Sequence, residues 1–319
     1  MPEHAPLSPD GTIPRAVPRA VPRAVPRTVP LVLLVAVLGI SGSGPLVRLS
    51  HAEPLAIALW RLTLSMSVIA VILLAGGSWR QWKGLNRGDL IAAGVAGVLL
   101  ALHFWSWITS IGFTSVAASV VLVNVHPVIV AAGSALFLGE RPSRVQAAGI
   151  AVSLAGAGLL AWGDITAAPS AAHGGNALIG DVLAVIGAIT IAGYLLTGRR
   201  VRQKLDLWPY VGLVYGACLF TVYVIAMARG TVIAPQPQRE MLIFTGMALG
   251  PMLIGHTGFN WALRYMPAYV VSLVAIAEPI GATALAAFLP GIGERPSVMT
   301  LVGGGVVLAG IVLASRPRR

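Results

Sequence analysis

Charge is scarce in this 319-residue chain. Asp, Glu, Lys and Arg together make up 10% of it, against about 25% in an ordinary soluble domain. That shortage leaves too little polar surface to keep two soluble domains in water. Cysteine is scarcer still: Cys218 stands alone, which excludes a disulfide framework and a cysteine-based zinc site. Acidic residues number 11 against 22 basic ones. The sequence also lacks HExxH, GxSxG and DxxD patterns, so no nucleophile–base pair or metal-ligand set stands at workable spacing. What the chain has in abundance is apolar residues, 56% of the total, and 37 glycines. These proportions describe a polytopic α-helical membrane protein. Its net charge of +11 then calls for an explanation other than nucleic acid, which is not expected as a partner.

Residues 1–29 form a separate region. Between Ile13 and Pro30 a four-residue unit repeats as Pro14-Arg15-Ala16, Pro18-Arg19-Ala20, Pro22-Arg23-Ala24 and Pro26-Arg27-Thr28. Proline at every fourth position forbids a helix, so the segment is expected to be an extended, disordered basic tail. The apolar run after it is interrupted by Ser41-Gly42-Ser43-Gly44-Pro45 with no clear small-x-small cleavage site, and reads as a retained first span. Apolar stretches of membrane-crossing length follow near 31–48, 54–76, 90–111, 114–138, 144–162, 180–199, 208–228, 241–262, 267–289 and 298–314. Seventeen of the 22 basic residues fall on one side of these ten expected spans, four on the other, and Arg61 within one. The positive-inside rule places both termini in the cytoplasm. The excess charge is therefore a topology signal, and one cation and one anion, Arg61 and Glu278, cancel inside the bilayer.

The halves echo one another at a spacing of about 153 residues. Gly139-Glu140-Arg141-Pro142-Ser143 recurs as Gly293-Glu294-Arg295-Pro296-Ser297, Gly149 matches Gly303, and Leu154-Ala155-Gly156 matches Leu308-Ala309-Gly310. His103 matches His256, Ser119 matches Ser272, and Pro127 matches Pro279 with a one-residue adjustment. The expected organisation is a first five-helix repeat at 30–163, an external linker at 164–179, a second repeat at 180–315 and a basic cytoplasmic end at 316–319. Five spans is an odd number, so the second repeat enters the membrane inverted, the architecture of many secondary transporters.

Trp60-Arg61 early in the second span, the Pro127…Gly139-Glu140-Arg141 run, the Glu278-Pro279…Gly293-Glu294-Arg295 run and the paired Leu-Ala-Gly patches resemble the drug/metabolite transporter superfamily in its EamA-like branch, especially amino-acid exporters of the YddG type. The resemblance covers about residues 30–315. It implies a basket-shaped bundle around a central midplane cavity, lined chiefly by spans 1, 3, 4, 6, 8 and 9. One departure is Pro290 with two extra residues between Pro279 and Glu294, which bears on a helix end and its loop.

Polar groups in hydrocarbon are costly and mark function by default. His103 and Trp107 share a face of span three, with Ser110 continuing it. His256 and Asn260 hold the matching face of span eight. These four are expected to line the substrate site, with Asn124, Tyr194 and Glu278, although interhelical hydrogen bonding alone is the competing reading. Glu278, the sole acid within a span, is a candidate proton carrier or partner for a substrate amine, and His126, its repeat mate, is the second candidate for proton coupling. Arg61 could receive a carboxylate; a structural strut locked to helix carbonyls is the favoured expectation. Thr190 and Thr197 share a face with Tyr194, where they could simply bond their own backbone. Trp79, Trp82 and Trp208 are expected to be interfacial belt. The histidines lie on different spans, so no metal is expected, and no cofactor.

The function expected is export of amino acids or similar small amphipathic metabolites across the bacterial inner membrane by alternating access. Exchange of phosphorylated sugars or nucleotide sugars, or multidrug export, are the alternatives; the former needs several midplane Lys/Arg for phosphate, and Arg61 is the one available. A membrane-embedded enzyme is a remote alternative. The partners expected are a small-molecule substrate and the lipid bilayer, with oligomeric state open between monomer and weak dimer.

Overall fold

The computed structural model describes residues 25–113, 119, 122–167, 177–288 and 298–314. Most of the Pro/Arg tail, much of the 164–179 linker, the Gly293-Glu294-Arg295 motif and the basic C-terminus fall outside them. The described residues are helical, with no strand among them. Among the described residues six helices are long and apolar enough to cross a membrane: α1 (Val29–Leu49), α2 (Pro54–Gly76), α3 (Arg87–Ser110), α6 (within Ala177–Val201), α7 (Leu207–Ala228) and α8 (Gln238–Ala262). Four others contribute shorter apolar stretches among the described residues: α4 (His126–Leu138), α5 (Arg144–Ala167), α9 (268–288, in two pieces) and α10 (Val298–Ala314).

Local chemistry sets the helix ends and breaks. Proline begins α2 at its first turn, and Gly77, at φ +62°, stops it. The Asn86 side chain accepts from the Asp89 N–H at 2.9 Å and caps α3. A turn of π-helix at Ser134–Leu138 closes α4, stopped by Gly139 at φ +68°. In α8 a π-helical stretch runs over Ala248–His256 with Pro251 inside it. Proline cannot supply the usual helical N–H, and the wider winding turns the succeeding residues, His256 among them, relative to a regular helix. The first piece of α9 ends at Ala275 and the second begins at Glu278-Pro279, so Glu278 sits at a helix break.

Glycine lets backbones touch. Where α5 meets α10, a Cβ on Gly149 would stand 2.7 Å from the Gly310 carbonyl oxygen, and one on Gly156 would stand 2.9 Å from that of Gly303. Between these contacts Ser153 Oγ donates to Val307 O at 3.2 Å. Rising numbers on one helix meet falling numbers on the other, so the pair is antiparallel. The α1–α8 contact is built alike: Gly39 faces Gly250, Gly255 faces Ile40, and Gly258 faces Ala36. Helix α3 packs on α6 and α7, α2 on α7 and α8, and α4 on α6 and α9.

The face expected to be cytoplasmic is tied by its basic residues. Arg199 pairs with Glu140 at 2.8 Å and also donates to Leu263 O at 2.7 Å. Lys204 pairs with Asp89 at 2.6 Å, and Arg264 with Asp206. Arg202 donates to the Asn260 carbonyl at 2.8 Å and to that of Leu205. Trp82, expected in an interfacial belt, donates to Pro209 O at 3.0 Å and packs beside Gly212. On the opposite face Ser50 Oγ and the His51 N–H both donate to Glu240.

Two outcomes follow. Gly149→Leu and Gly310→Val should each destabilise the protein by about 1–3 kcal/mol through overpacking against backbone that cannot yield, read as a lowered thermal midpoint in detergent. The Asp206 carboxyl is held below its usual range, first by the hydrogen bond from Arg264 and then by that from Gln81. Its contribution is therefore present above the unfolded carboxylate pKa, about 4, and is lost as pH falls through the folded value. Asp206 is mostly exposed, so the effect is small. The melting difference between wild type and Asp206→Asn should shrink to nothing on acidification.

Candidate functional site

The polar faces expected on α3 and α8 do approach one another, through Phe104 rather than by direct contact of their histidines. His103 Nδ1 lies 3.0 Å from Gly187 O on α6, and its ring stacks on Trp107 with centroids 6.4 Å apart. Phe104, next in sequence, meets His256 edge-on at 5.2 Å. The other face of this small cluster is Arg61, whose guanidinium carbon stands 4.1 Å from the centre of the Phe104 ring. That cation–π contact joins α2, α3 and α8 in the interior.

Arg61 is 1% exposed. Nη2 reaches Met252 Sδ at 3.6 Å, and Nε and Nη1 have no hydrogen-bond partner. The helix carbonyls that a strut would engage are not among its contacts, so the favoured sequence expectation for Arg61 is not met in its bonding. The carbonyl of Arg61 itself accepts from Ser65 Oγ at 2.7 Å, and Ser65 also reaches Ala248 O at 3.3 Å.

Tyr194 and Asn260 form a second buried cluster. Tyr194 OH donates to Asn260 Oδ1 at 2.7 Å, and Asn260 Nδ2 donates to Tyr215 OH at 3.0 Å. Tyr215 OH stands 3.2 Å from Thr257 Oγ1, which donates to Met252 O at 3.1 Å. The chain of bonds links α6, α7 and α8 and returns to the residue beneath Arg61. Asn260 and Tyr215 are wholly buried, so each bond replaces one to water that burial has removed. Sequence reading missed Tyr215, Thr257 and Met252. The signal for Tyr215 was present: Val211, Val214, Tyr215, Cys218 and Val222 recur at helical spacing, and all are buried.

The remaining expected residues surround these clusters. Asn124 is buried just before α4. His126 Nδ1 lies 3.0 Å from Val123 O and within electrostatic reach of His103. Glu278 is within electrostatic reach of Arg61 but forms no salt bridge with it, and its carbonyl accepts from Ser41 Oγ at 3.2 Å. Thr190 bonds the Ile186 and Gly187 carbonyls of its own helix. No group of three or more His, Cys, Asp or Glu placed to hold a metal occurs among the described residues. A groove of about 510 Å³ lies elsewhere, on the flank of α2 and α7 at Leu59, Trp60, Gly216 and Phe220.

Asn260 is the branch point of the second cluster. Asn260→Leu should leave the Tyr194 hydroxyl unpartnered and the Tyr215 hydroxyl with Thr257 alone, at a cost of about 1–3 kcal/mol, measured by thermal unfolding. Tyr215→Phe alone should cost less, and the two losses should not add.

The family profile described as EamA-like transporter matches residues 27–162 and 178–316. Over 203 residues the chain is 28% identical to a protein of Streptantibioticus cattleyicolor named as a probable terminal-alkyne amino-acid exporter. That match covers 61% of this chain and 62% of the exporter's length. An uncharacterized transporter of Archaeoglobus fulgidus is 24% identical over 301 residues, 90% of this chain and 98% of the relative. A solved crystal structure shares the fold, with a TM-score of 0.73 over 90% of this chain and 96% of its own, at 18% identity. With the profile matched over two segments that together take in most of the chain, the chain belongs to the EamA-like transporter family.

Proposed function

We propose that the protein is a secondary transporter that exports amino acids or similar small amphipathic metabolites across the bacterial inner membrane. It does so by alternating access between two inverted five-helix repeats, 30–163 and 180–315, making ten crossings with both termini in the cytoplasm. The observation that carries this reading is the α5–α10 crossing. Under the sequence repeat Gly149 corresponds to Gly303 and Gly156 to Gly310. The contact of Gly149 with Gly310 is thus the image of the contact of Gly303 with Gly156. Ser153 and Val307, bonded between them, are images of one another. A contact that maps onto itself in this way is what a twofold axis in the membrane plane produces.

Two like halves in opposite orientation can exchange conformations, turning an inward-open carrier outward. The site they enclose suits a zwitterion: one cation, one anion, aromatic and aliphatic walls, and neutral hydrogen-bonding groups. The named activity of the Streptantibioticus cattleyicolor relative supports the same substrate class. Glu278 and His126 are the groups available for proton coupling, with Asn124, Tyr194, His256, Asn260, His103 and Trp107 around the path.

Counterflow of radiolabelled leucine and other amino acids in proteoliposomes tests this. Saturable exchange is expected; absence of saturable flux for every amino acid, with another solute class carried instead, would overturn the reading. If Glu278 carries the coupled proton, Glu278→Gln should flatten the pH dependence of exchange, and unchanged flux with an unchanged pH profile removes that role. For orientation, an impermeant maleimide should label Val232→Cys in intact cells and Lys83→Cys only after permeabilisation.

A further inference from the structure

The arginines of this protein bond in two different ways. Arg202 spends Nε on the Asn260 carbonyl and Nη1 on that of Leu205. Arg199 engages Glu140 and the Leu263 carbonyl. These two arginines each place at least two nitrogens on backbone oxygen or carboxylate. Arg61, deeper and almost wholly enclosed, has no oxygen among its partners: Nε and Nη1 are unpartnered and Nη2 meets the Met252 thioether, a weak acceptor.

A desolvated guanidinium left in that condition is expensive. Taking an ion out of water costs more than one cation–π contact with Phe104 returns. An anion that displaced the Met252 sulfur from Nη2 would engage Nη2 together with Nε or with Nη1, in the bidentate geometry that arginine favours. The acid that could have filled this role, Glu278, is near enough to act on Arg61 electrostatically but makes no salt bridge with it. Its helix start is held by the bond from Ser41 to its carbonyl. The two charges within the expected spans are thus left unpaired with one another.

We infer that Arg61 is the substrate's carboxylate-binding residue, with the ammonium group of the same molecule turned towards Glu278 and its apolar part against Phe104 and Met252. This deepens the exporter reading and rests on it for the identity of the solute as a zwitterion. Carboxylate is the anion chosen because a single arginine matches a single negative charge, whereas a phosphate ester carries more charge than one guanidinium neutralises. In the structure the guanidinium edge is closed by Met252, so entry of substrate replaces a sulfur contact with oxygen contacts.

The test uses the full chain purified in detergent, with thermal unfolding read against four probes. These are leucine, 4-methylpentanoate (the carboxylate without the amine), leucinamide (the amine without the carboxylate) and inorganic phosphate. Leucine and 4-methylpentanoate should raise the melting temperature of wild type; leucinamide and phosphate should not. Arg61→Gln should abolish both shifts. Arg61→Lys, which keeps the charge without the planar fork, should weaken leucine binding at least tenfold. Glu278→Gln should weaken leucine while leaving 4-methylpentanoate unaffected. Stabilisation by leucinamide equal to that by leucine, by phosphate alone, or by no carboxylate at all would overturn the assignment. So would leucine affinity unchanged in Arg61→Lys, which decides the matter if Arg61→Gln does not fold. Arg61-dependent carboxylate binding without amino-acid flux in proteoliposomes would leave this site standing and remove the amino-acid exporter reading.

Discussion

Helices in hydrocarbon gain little by hiding apolar side chains from one another, because lipid tails are as apolar as leucine. What joins them is close contact between surfaces, and the closest contact is backbone on backbone. Glycine at Gly149, Gly156 and Gly310 brings α5 and α10 together, and Gly39, Gly255 and Gly258 do the same for α1 and α8. At Gly149, Gly156 and Gly255 the atoms met across the seam include backbone, which cannot give way as the end of a side chain can. The polar groups elsewhere in the bundle depend on that precision. The Tyr194–Asn260–Tyr215 bonds require three helices to hold their positions within a few tenths of an ångström.

Polar side chains inside such a bundle have two uses, and the structure separates them. At the basic face, Arg199, Arg202, Lys204 and Arg264 are each paired with a carboxylate or a backbone carbonyl. The residues that give the chain its topological charge bias thus also tie its ends together. In the interior, the amide of Asn260 and the hydroxyls of Tyr194 and Tyr215 satisfy one another. Arg61 departs from both patterns. A transporter needs some group whose best partner is absent until the solute arrives, since a fully satisfied interior has nothing to offer it.

Much of this was legible in the sequence because membrane helices leave a simple signature. The lengths of the apolar runs set α1, α2, α3, α6, α7 and α8, and Pro54 and Gly77 set the ends of α2 at the residue. His103, Trp107, His256 and Asn260 were conspicuous in the sequence because hydrocarbon makes each polar residue so, yet His256 meets Phe104 while Asn260 bonds Tyr194 and Tyr215. Tyr215 and Thr257 were harder to see: a tyrosine or a threonine in a span is common enough to pass as interfacial or self-bonding, and only the partner across the helix boundary reveals its role. Met252 carries no sequence signal at all. The bonding of Arg61 ran against expectation because spacing reports where a side chain lies along a helix and says nothing of what stands opposite its nitrogens. The π-helical turn around Pro251 further shifts α8 away from the regular face that spacing assumes.

On the transporter reading, the two halves must be alike enough to exchange shapes and unlike enough to hold an asymmetric solute. The backbone supplies the likeness, most plainly at the α5–α10 seam. The polar residues supply the difference. His103 stacks on Trp107, whereas its mate His256 has Asn260 one turn on and the edge of Phe104 beside it. His126 corresponds to Glu278, a neutralisable base opposite an acid. Arg61 lies seven residues into α2, and seven residues into α7 stands Val214, so the sole intramembrane cation has no twin. A bundle symmetric in its charges would bind either end of a zwitterion equally at two places. Confining one cation to one repeat and one acid to the other gives the solute a single orientation, which it keeps while the halves around it trade conformations.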